Sequence, residues 1–124
     1  MSKYIDGYVF PVPHANIENY RAVAAKAAAI WKDHGALEYI EAVGDDLEVK
    51  DMVSFSQLAG TGEGETVVFA YIVYASREHR DAVNAKVMAD PRMAEMCPQR
   101  NPDFKPSFDW TRMSYGGFKT IVEA

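Results

Sequence analysis

The stretch Thr66–Met96, TVVFAYIVYASREHRDAVNAKVMADPRMAEM, decides the fold. Val67 to Tyr74 is apolar at nearly every position and rich in β-branched and aromatic residues, which predicts a strand buried on both faces. Ser76 predicts the N-cap of the helix that follows. Asp90 and Pro91 predict a second, short helix, because aspartate caps helices and proline is tolerated at the first helical position. The stretch therefore predicts a strand, a helix and a short helix.

A similar unit of strand and helix precedes this stretch in the chain. Lys3 to Phe10 predicts a first strand, which Pro11 and Pro13 are expected to end. A long helix should begin at the cap Asn16 and run to about His34, with a buried stripe of Ile17, Tyr20, Ala24, Ala27 and Trp31. Gly35 is expected to end this helix in a left-handed conformation. Ala36 to Val43 predicts a second, more exposed strand.

The rest of the chain contains one weak segment and one closing strand. Met52 to Leu58 predicts an extra strand or an extended piece. The glycines of GTGEGE, residues 60–65, predict a turn between strands, because Glu63 and Glu65 would repel a bound phosphate. Residues 112–122 predict the last strand, in which Gly116-Gly117 marks either a bulge or a close backbone approach.

The order β-α-β, loop, β-α-β predicts an α+β fold over residues 1–124. It is the ferredoxin-like βαββαβ unit, a single domain in which an antiparallel sheet carries its helices on one face. The first and third strands carry large apolar residues at both parities. Simple alternation places one such set on the open face: Tyr4, Tyr8, Val67, Phe69 and Tyr71. An exposed apolar surface of this size marks an interface, so we expect a homodimer that packs sheet against sheet.

Composition narrows the environment and the partners. A net charge of −5 over 124 residues argues against nucleic acid as a partner, because phosphate binding needs a basic footprint. The single cysteine is compatible with a reducing compartment. We expect no signal peptide, because MSKYIDGY has no apolar signal region, and no apolar run is long enough to span a bilayer. We expect a soluble cytoplasmic protein without membrane or nucleic-acid partners.

Four segments together resemble the YbaA-like bacterial proteins: YIDGYVFPVP, KDHGALE, VVFAYIVYASREHRDAVNAKVMADPRMAEM and RMSYGGF. The likeness covers nearly the whole chain, and ADPRM together with RMSYGGF is its most specific part. That family has no established function and is part of the dimeric α/β-barrel superfamily. The resemblance implies a ferredoxin-like protomer and a homodimer, and it brings no catalytic residues. Small monooxygenases, isomerases and stress-responsive barrels in the wider superfamily are analogies of fold alone.

Three residues are weak catalytic candidates: Asp6, Tyr71 and His79. Asp6 lies inside a strand expected to be central, where a buried carboxylate needs a partner or a raised pKa. The alternative is that Asp6 pairs with Arg112 or Lys119 or lies near the barrel rim. We expect His79 to share the apolar stripe of its helix.

The weak ligand-binding candidates are Trp31, Tyr71 and Arg80. Trp31 and Tyr71 would line a pocket between helix and sheet, although aromatic residues at this spacing are more often core. Arg80, with Arg77 and Arg92, would hold an anion, or else form a solvated face. The histidines at 14, 34 and 79 have no ligand spacing, so we expect no metal and no cofactor.

Two functional hypotheses follow, and the sequence leaves open whether the protein is an enzyme. One is a homodimer that binds a small molecule or a partner, for example in a stress response. The other is a cofactor-independent enzyme, monooxygenase-like or isomerase-like, acting on a small hydrophobic or aromatic metabolite. A sealed pocket containing a polar group of perturbed pKa would favour the enzyme, and a filled core would favour the binding protein.

Overall fold

A computed structural model describes residues 2–124 and contains one antiparallel sheet. The sheet has the strand order β2-β3-β1-β4, built from β1 (Tyr4–Pro13), β2 (Glu38–Val43), β3 (Glu65–Tyr74) and β4 (Ser114–Lys119). The α-helices are α1 (Ile17–Asp33), α2 (Phe55–Ala59), α3 (Arg77–Ala89) and α4 (Pro91–Glu95). The predicted α+β, ferredoxin-like order is confirmed, with β1 and β3 as the two central strands.

The first strand runs further than the sequence predicted. It continues through Pro11 and ends at Pro13. The two prolines are tolerated because β4 pairs with β1 only between Tyr4 and Val9. Beyond Val9 the strand is an edge on that side, where a missing backbone donor removes no ladder bond.

The segment Met52 to Leu58, predicted as a strand or an extended piece, instead overlaps the short helix α2. A capping box starts it: the Ser54 hydroxyl accepts from the Gln57 backbone N–H at 3.1 Å, and the Gln57 side chain accepts from the Ser54 N–H at 3.2 Å. Gly60, at φ 67°, ends it. The glycine turn that follows therefore connects a helix to β3 rather than two strands.

Most of the predicted helix ends are confirmed. Ser76 caps α3 by accepting from the His79 N–H at 3.0 Å, and Asp90 caps α4 by accepting from the Arg92 N–H at 2.8 Å. Gly35 follows α1 at φ 108°, a conformation that favours glycine. Asn16 precedes α1 but does not cap it, because its side-chain amide donates to the Ser107 carbonyl at 2.8 Å.

One face of the sheet is covered by α1 and α3 and holds the core. The buried apolar residues form two clusters, Ile30, Ala36, Ile72, Tyr74, Val83 and Val87 in one and Phe10, Val12 and Val68 in the other. Tyr4 and Tyr8 also lie on this face, since they pair directly with Tyr74 and Ala70. The expectation that Tyr4 and Tyr8 lie on the open face was wrong, because β1 has the opposite parity to the one assumed.

The other face is concave and carries the predicted Val67, Phe69 and Tyr71. Phe69 and Tyr71, together with residues of the neighbouring strands, line a depression of about 800 Å³. Helix α2 borders this face, where Phe55 stacks on Phe69 with ring centroids 6.1 Å apart. The helices are thus not all on one side, as predicted, although the long ones are.

The paired glycines of β4 mark a close approach rather than a bulge. The register between β1 and β4 is unbroken from Tyr4↔Lys119 to Val9↔Ser114. A Cβ atom at Gly117 would overlap the ring of Tyr4. Gly117 is therefore required by the packing of that ring.

Candidate functional site

A cavity of about 130 Å³ lies between α1 and the helix-facing side of the sheet. We call it the inner cavity. Nine residues line it, and five of them are aromatic: Tyr8, Phe10, Tyr20, Trp31 and Tyr39, with Glu41, Ala70, Ile72 and Met113. Such a concave, mostly apolar space with few polar groups is typical of a small-molecule site.

A second space of about 280 Å³ lies beside it, between α1 and β2. We call it the outer cleft, and it shares Tyr20, Tyr39 and Glu41 with the inner cavity. Its helix wall consists largely of alanines, at positions 24, 25 and 28. The short alanine side chains leave room that larger residues would fill. The residues shared by both spaces lie where the two spaces meet, and one of them is charged.

The charged residue that lines both spaces is Glu41. Tyr39 donates its hydroxyl to Glu41 Oε2 at 2.6 Å, and Tyr20 donates its hydroxyl to Glu41 Oε1. Burial raises the pKa of both tyrosines far above the usual value, and the charge of Glu41 raises it further. Both phenols therefore remain protonated donors, and they hold the carboxylate in place.

A second carboxylate, Asp6, is fully buried on the same face of the sheet. Arg80 Nη1 donates to Asp6 Oδ1 at 2.7 Å, and the same nitrogen donates to the Tyr115 hydroxyl at 2.9 Å. Among the described residues, Asp6 Oδ2 has no hydrogen-bond partner. Burial raises the pKa of Asp6, an effect that the charge of Arg80 only partly offsets. Asp6 is not among the residues that line the inner cavity or the outer cleft.

The partner of Asp6 differs from the sequence expectation. The candidates were Arg112 and Lys119, but α3 packs against this face and supplies Arg80 instead. Arg112 pairs with Glu65, with its Nη1 2.8 Å from Glu65 Oε2.

Two further residues of the inner cavity, Trp31 and Tyr8, have their own partners in the core. The indole N–H of Trp31 and the hydroxyl of Tyr74 both donate to Asn84 Oδ1, each at 3.1 Å. The rings of Tyr8 and Tyr115 lie 5.0 Å apart. Burial raises the pKa of Tyr8, and the charges of Asp6 and Glu41 add to that rise. Tyr8 therefore lies within electrostatic reach of both acids.

The predicted pocket between Trp31 and Tyr71 does not form. Trp31 lines the inner cavity, whereas Tyr71 lies on the open face, on the other side of the sheet. The expectation was wrong because strand parity separates Tyr71 from the helix-facing Ala70 and Ile72.

The remaining candidates have structural partners. His79 Nδ1 accepts from the Ala75 N–H at 2.9 Å, and its ring packs edge-on against Tyr74. Arg80 does not gather with Arg92, which bonds Asp33 at 2.9 Å and Asp90 at 2.8 Å. Within residues 2–124, no group of three acidic, histidine or cysteine side chains is placed to hold a metal ion. In the same range, no helix has the length and apolar character needed to cross a membrane.

The sequence did not identify Glu41 as a site residue. The alternation of Leu37, Tyr39 and Glu41 placed an acid and an aromatic residue on one face of the strand. Tyr20 belonged to the predicted buried stripe of α1. A carboxylate facing a buried aromatic stripe was the available clue to the site.

Together the fold and the cavity define an α+β, ferredoxin-like protein with an aromatic pocket beneath its first helix. A crystal structure of a dimeric ferredoxin-like protein from an uncultured marine organism matches 100% of both chains with a TM-score of 0.59. Its 12% sequence identity limits that likeness to the fold.

The chain belongs to the family described as protein of unknown function (DUF1428), whose model matches residues 3–106. It is 41% identical over 121 residues to uncharacterized protein YbaA of Escherichia coli K12, covering 98% of each chain. YbaA of Shigella flexneri matches to the same extent. The resemblance to the YbaA-like proteins is confirmed.

Proposed function

We propose that this protein is a homodimer that binds a small, largely apolar molecule in the inner cavity. The observation that carries the proposal is a cavity with aromatic walls and one anchored carboxylate, Glu41. Pockets that bind small molecules combine an apolar lining with a few fixed polar groups that orient the ligand. The lone Cys97 suits a role in a reducing cytoplasm, which is part of the proposal.

The size of the space limits the ligand. An apolar protein cavity of about 150 Å³ can bind benzene. The inner cavity, at about 130 Å³, suits a group of that order, and the outer cleft of about 280 Å³ gives room for a longer substituent. Since the two spaces meet at Glu41, a polar group of the ligand would lie there.

The geometry at Glu41 supports binding rather than proton transfer. Each of its oxygens already accepts a tyrosine hydroxyl, so the group is fixed by two donors. The raised pKa values of Tyr20 and Tyr39 keep both phenols protonated at neutral pH, so neither is available as a base. The perturbed acid of the core, Asp6, lies outside the lining of both spaces.

The open face supports the homodimer. Phe69 and Phe118 remain 47% and 62% exposed there, and they belong to the apolar depression of about 800 Å³. A second copy covers such a surface with its own identical face, which gives a closed two-fold interface. The solved ferredoxin-like protein with the same fold is described as dimeric, which agrees with this arrangement.

Binding of phenol, a small aromatic probe, tests the site. We expect phenol to raise the Tm of the wild type in a concentration-dependent way, because it binds the folded state only. Ala70→Leu fills the inner cavity and should abolish this rise, whereas Ala22→Leu on the exposed side of α1 should retain it. Nuclear Overhauser contacts between phenol and the Met113 methyl group would place the probe independently of either variant. No rise in the wild type and no such contacts would contradict the proposal.

One observation favours the alternative of a cofactor-independent enzyme, monooxygenase-like or isomerase-like. Asp6 is buried, its pKa is raised and its Oδ2 is unpartnered among the described residues, and these are features of a tuned catalytic acid or base. Small hydrophobic or aromatic metabolites that bind the wild type should then be converted without added cofactor. Conversion that is lost in Asp6→Asn, with binding retained, would establish the enzyme in place of the binding protein.

A further inference from the structure

We infer that the ligand of the inner cavity carries an organic ammonium group. The inference rests on the proposed binding function and names the chemistry of the ligand. Its basis is an aromatic enclosure with a carboxylate as its one acidic side chain, Glu41. Aromatic ring faces attract cations through their quadrupoles, and cages of this kind are a recurring means of binding quaternary ammonium ions.

The charges around the cavity favour a cation over an anion. None of the nine lining residues is basic. Arg80 packs in the same core with 12% of its side chain exposed, and it pairs with Asp6 at 2.7 Å. Arg21 lines the outer cleft, but it is solvent-exposed and pairs with Glu18 at 3.1 Å. An anionic ligand would therefore meet the Glu41 carboxylate without a compensating positive charge in the lining.

Glu41 keeps the capacity to bind such a group. Each of its oxygens accepts one hydroxyl, from Tyr20 or Tyr39, and a carboxylate oxygen has room for more than one contact. Glu41 is half-buried, and no basic side chain lines the inner cavity beside it. A ligand cation would place an opposite charge next to this carboxylate, whereas a neutral apolar ligand would gain no such attraction.

The dimensions fit a trimethylammonium head in the inner cavity. Such a head is comparable in size to a benzene ring, which cavities of about 150 Å³ accept. Its substituent would lie in the outer cleft, along the alanine wall of α1. Glu41 lies where the two spaces meet, next to the point at which the charged head would join its substituent.

Choline and its neutral isostere 3,3-dimethylbutanol provide the decisive comparison. The chain has two tryptophans, so Trp110→Phe leaves Trp31, in the cavity wall, as the single indole reporter. In this background we expect choline to change the Trp31 fluorescence and to bind at least about tenfold more tightly than the isostere, as cation–π and ionic contacts in a partly buried aromatic site allow.

Two variants then test the role of the carboxylate. Glu41→Gln should bring the affinities of choline and the isostere to within about threefold, because the shape is kept and the charge is lost. Glu38→Gln is the matched control on the same strand. It faces the open side, so it should retain the preference for choline. Circular dichroism would show that both variants fold.

The outcomes separate this inference from the proposed function. Equal binding of choline and the isostere to the wild type would overturn the ammonium inference and leave the binding site intact. Binding of phenol without any binding of choline would do the same. If none of the three probes binds, both the inference and the proposed function fail. If Glu41→Gln does not fold, the comparison of choline with the isostere in the wild type still tests the ammonium inference.

Discussion

The two faces of the sheet are both apolar, yet they are completed in different ways. The helix-facing side holds two carboxylates, one fully buried (Asp6) and one half-buried (Glu41). Each accepts a hydrogen bond from a helix residue, Asp6 from Arg80 and Glu41 from Tyr20. The open side exposes Phe69 and Phe118. Polar groups fixed inside an apolar wall are typical of a ligand site, whereas a continuous apolar surface is typical of an interface. We therefore expect the ligand on one face and the second copy on the other.

The largest effect is expected for Phe69→Asp on the open face. Placing a charge at the centre of an apolar interface carries a cost of several kcal/mol, and two-fold symmetry applies it twice. The dissociation constant of the dimer should rise by more than roughly a thousandfold, or the protein should aggregate. Sedimentation velocity measures the change.

The control for Phe69→Asp is Met88→Asp, at a similarly exposed apolar position on α3. This variant should remain dimeric, because α3 covers the opposite face. A Phe69→Asp protein that sediments like the control would remove the open face as the interface.

A second, smaller effect distinguishes the two faces by their dependence on protein concentration. Phe10→Ala removes a core ring that is 1% exposed and should lower the free energy of unfolding by about 3–5 kcal/mol. The change should be the same for monomer and dimer. Phe69→Ala should instead lower stability most where the dimer forms, since the exposed 47% of this residue is covered only by the second copy.

Urea unfolding at two protein concentrations measures both variants. Relative to the wild type, Phe10→Ala should lose the same free energy of unfolding at either concentration. The loss in Phe69→Ala should grow with concentration. Identical concentration dependence in the two variants would contradict the division of the faces.

Gly35→Val is expected to lower the free energy of unfolding by roughly 1 kcal/mol or more. Gly35 has φ 108°, and an added Cβ would lie 3.4 Å from His79 Nε2. The loss should leave the dimer intact, because the turn belongs to the helix-covered side. Denaturant unfolding checks this, and an unchanged midpoint and slope would show that the turn is not strained by a side chain.

The smallest effect is expected in the pH dependence of Asp6. Its pKa is raised in the folded state by burial, so the folded protein binds this proton more tightly than the unfolded chain. As the pH rises above the ordinary value of 3.8, the wild type should lose stability relative to Asp6→Asn. Urea unfolding of both proteins from pH 4 to neutral pH measures the trend. A wild type that becomes more stable relative to the variant as the pH rises would contradict a raised pKa of Asp6.

The sequence predicted the fold because its local patterns agree with one another. The apolar run of β3, the caps Ser76 and Asp90 and the glycine at 35 each depend on neighbours in the chain. The sequence could not predict which alternate residues of β1 face the helices, because both sets include large apolar residues. The set that does is shown by the bond between Asp6 and Arg80, which are 74 residues apart.

The candidate site was missed for a related reason. Glu41 and Tyr20 are 21 residues apart and meet only when α1 packs on the sheet. Each looks ordinary in its own element, one as a strand acid and the other as a stripe aromatic. Helix α2 is a different case, because its capping box was present in the sequence, but an apolar run of few residues fits a strand equally well.

The division of the two faces is tested most directly by the mass of the wild-type protein in solution. Sedimentation equilibrium at roughly micromolar concentration should give a single species of twice the chain mass of 13.8 kDa. A folded monomer of 13.8 kDa at that concentration would show that the open face needs no second copy, and it would contradict the account.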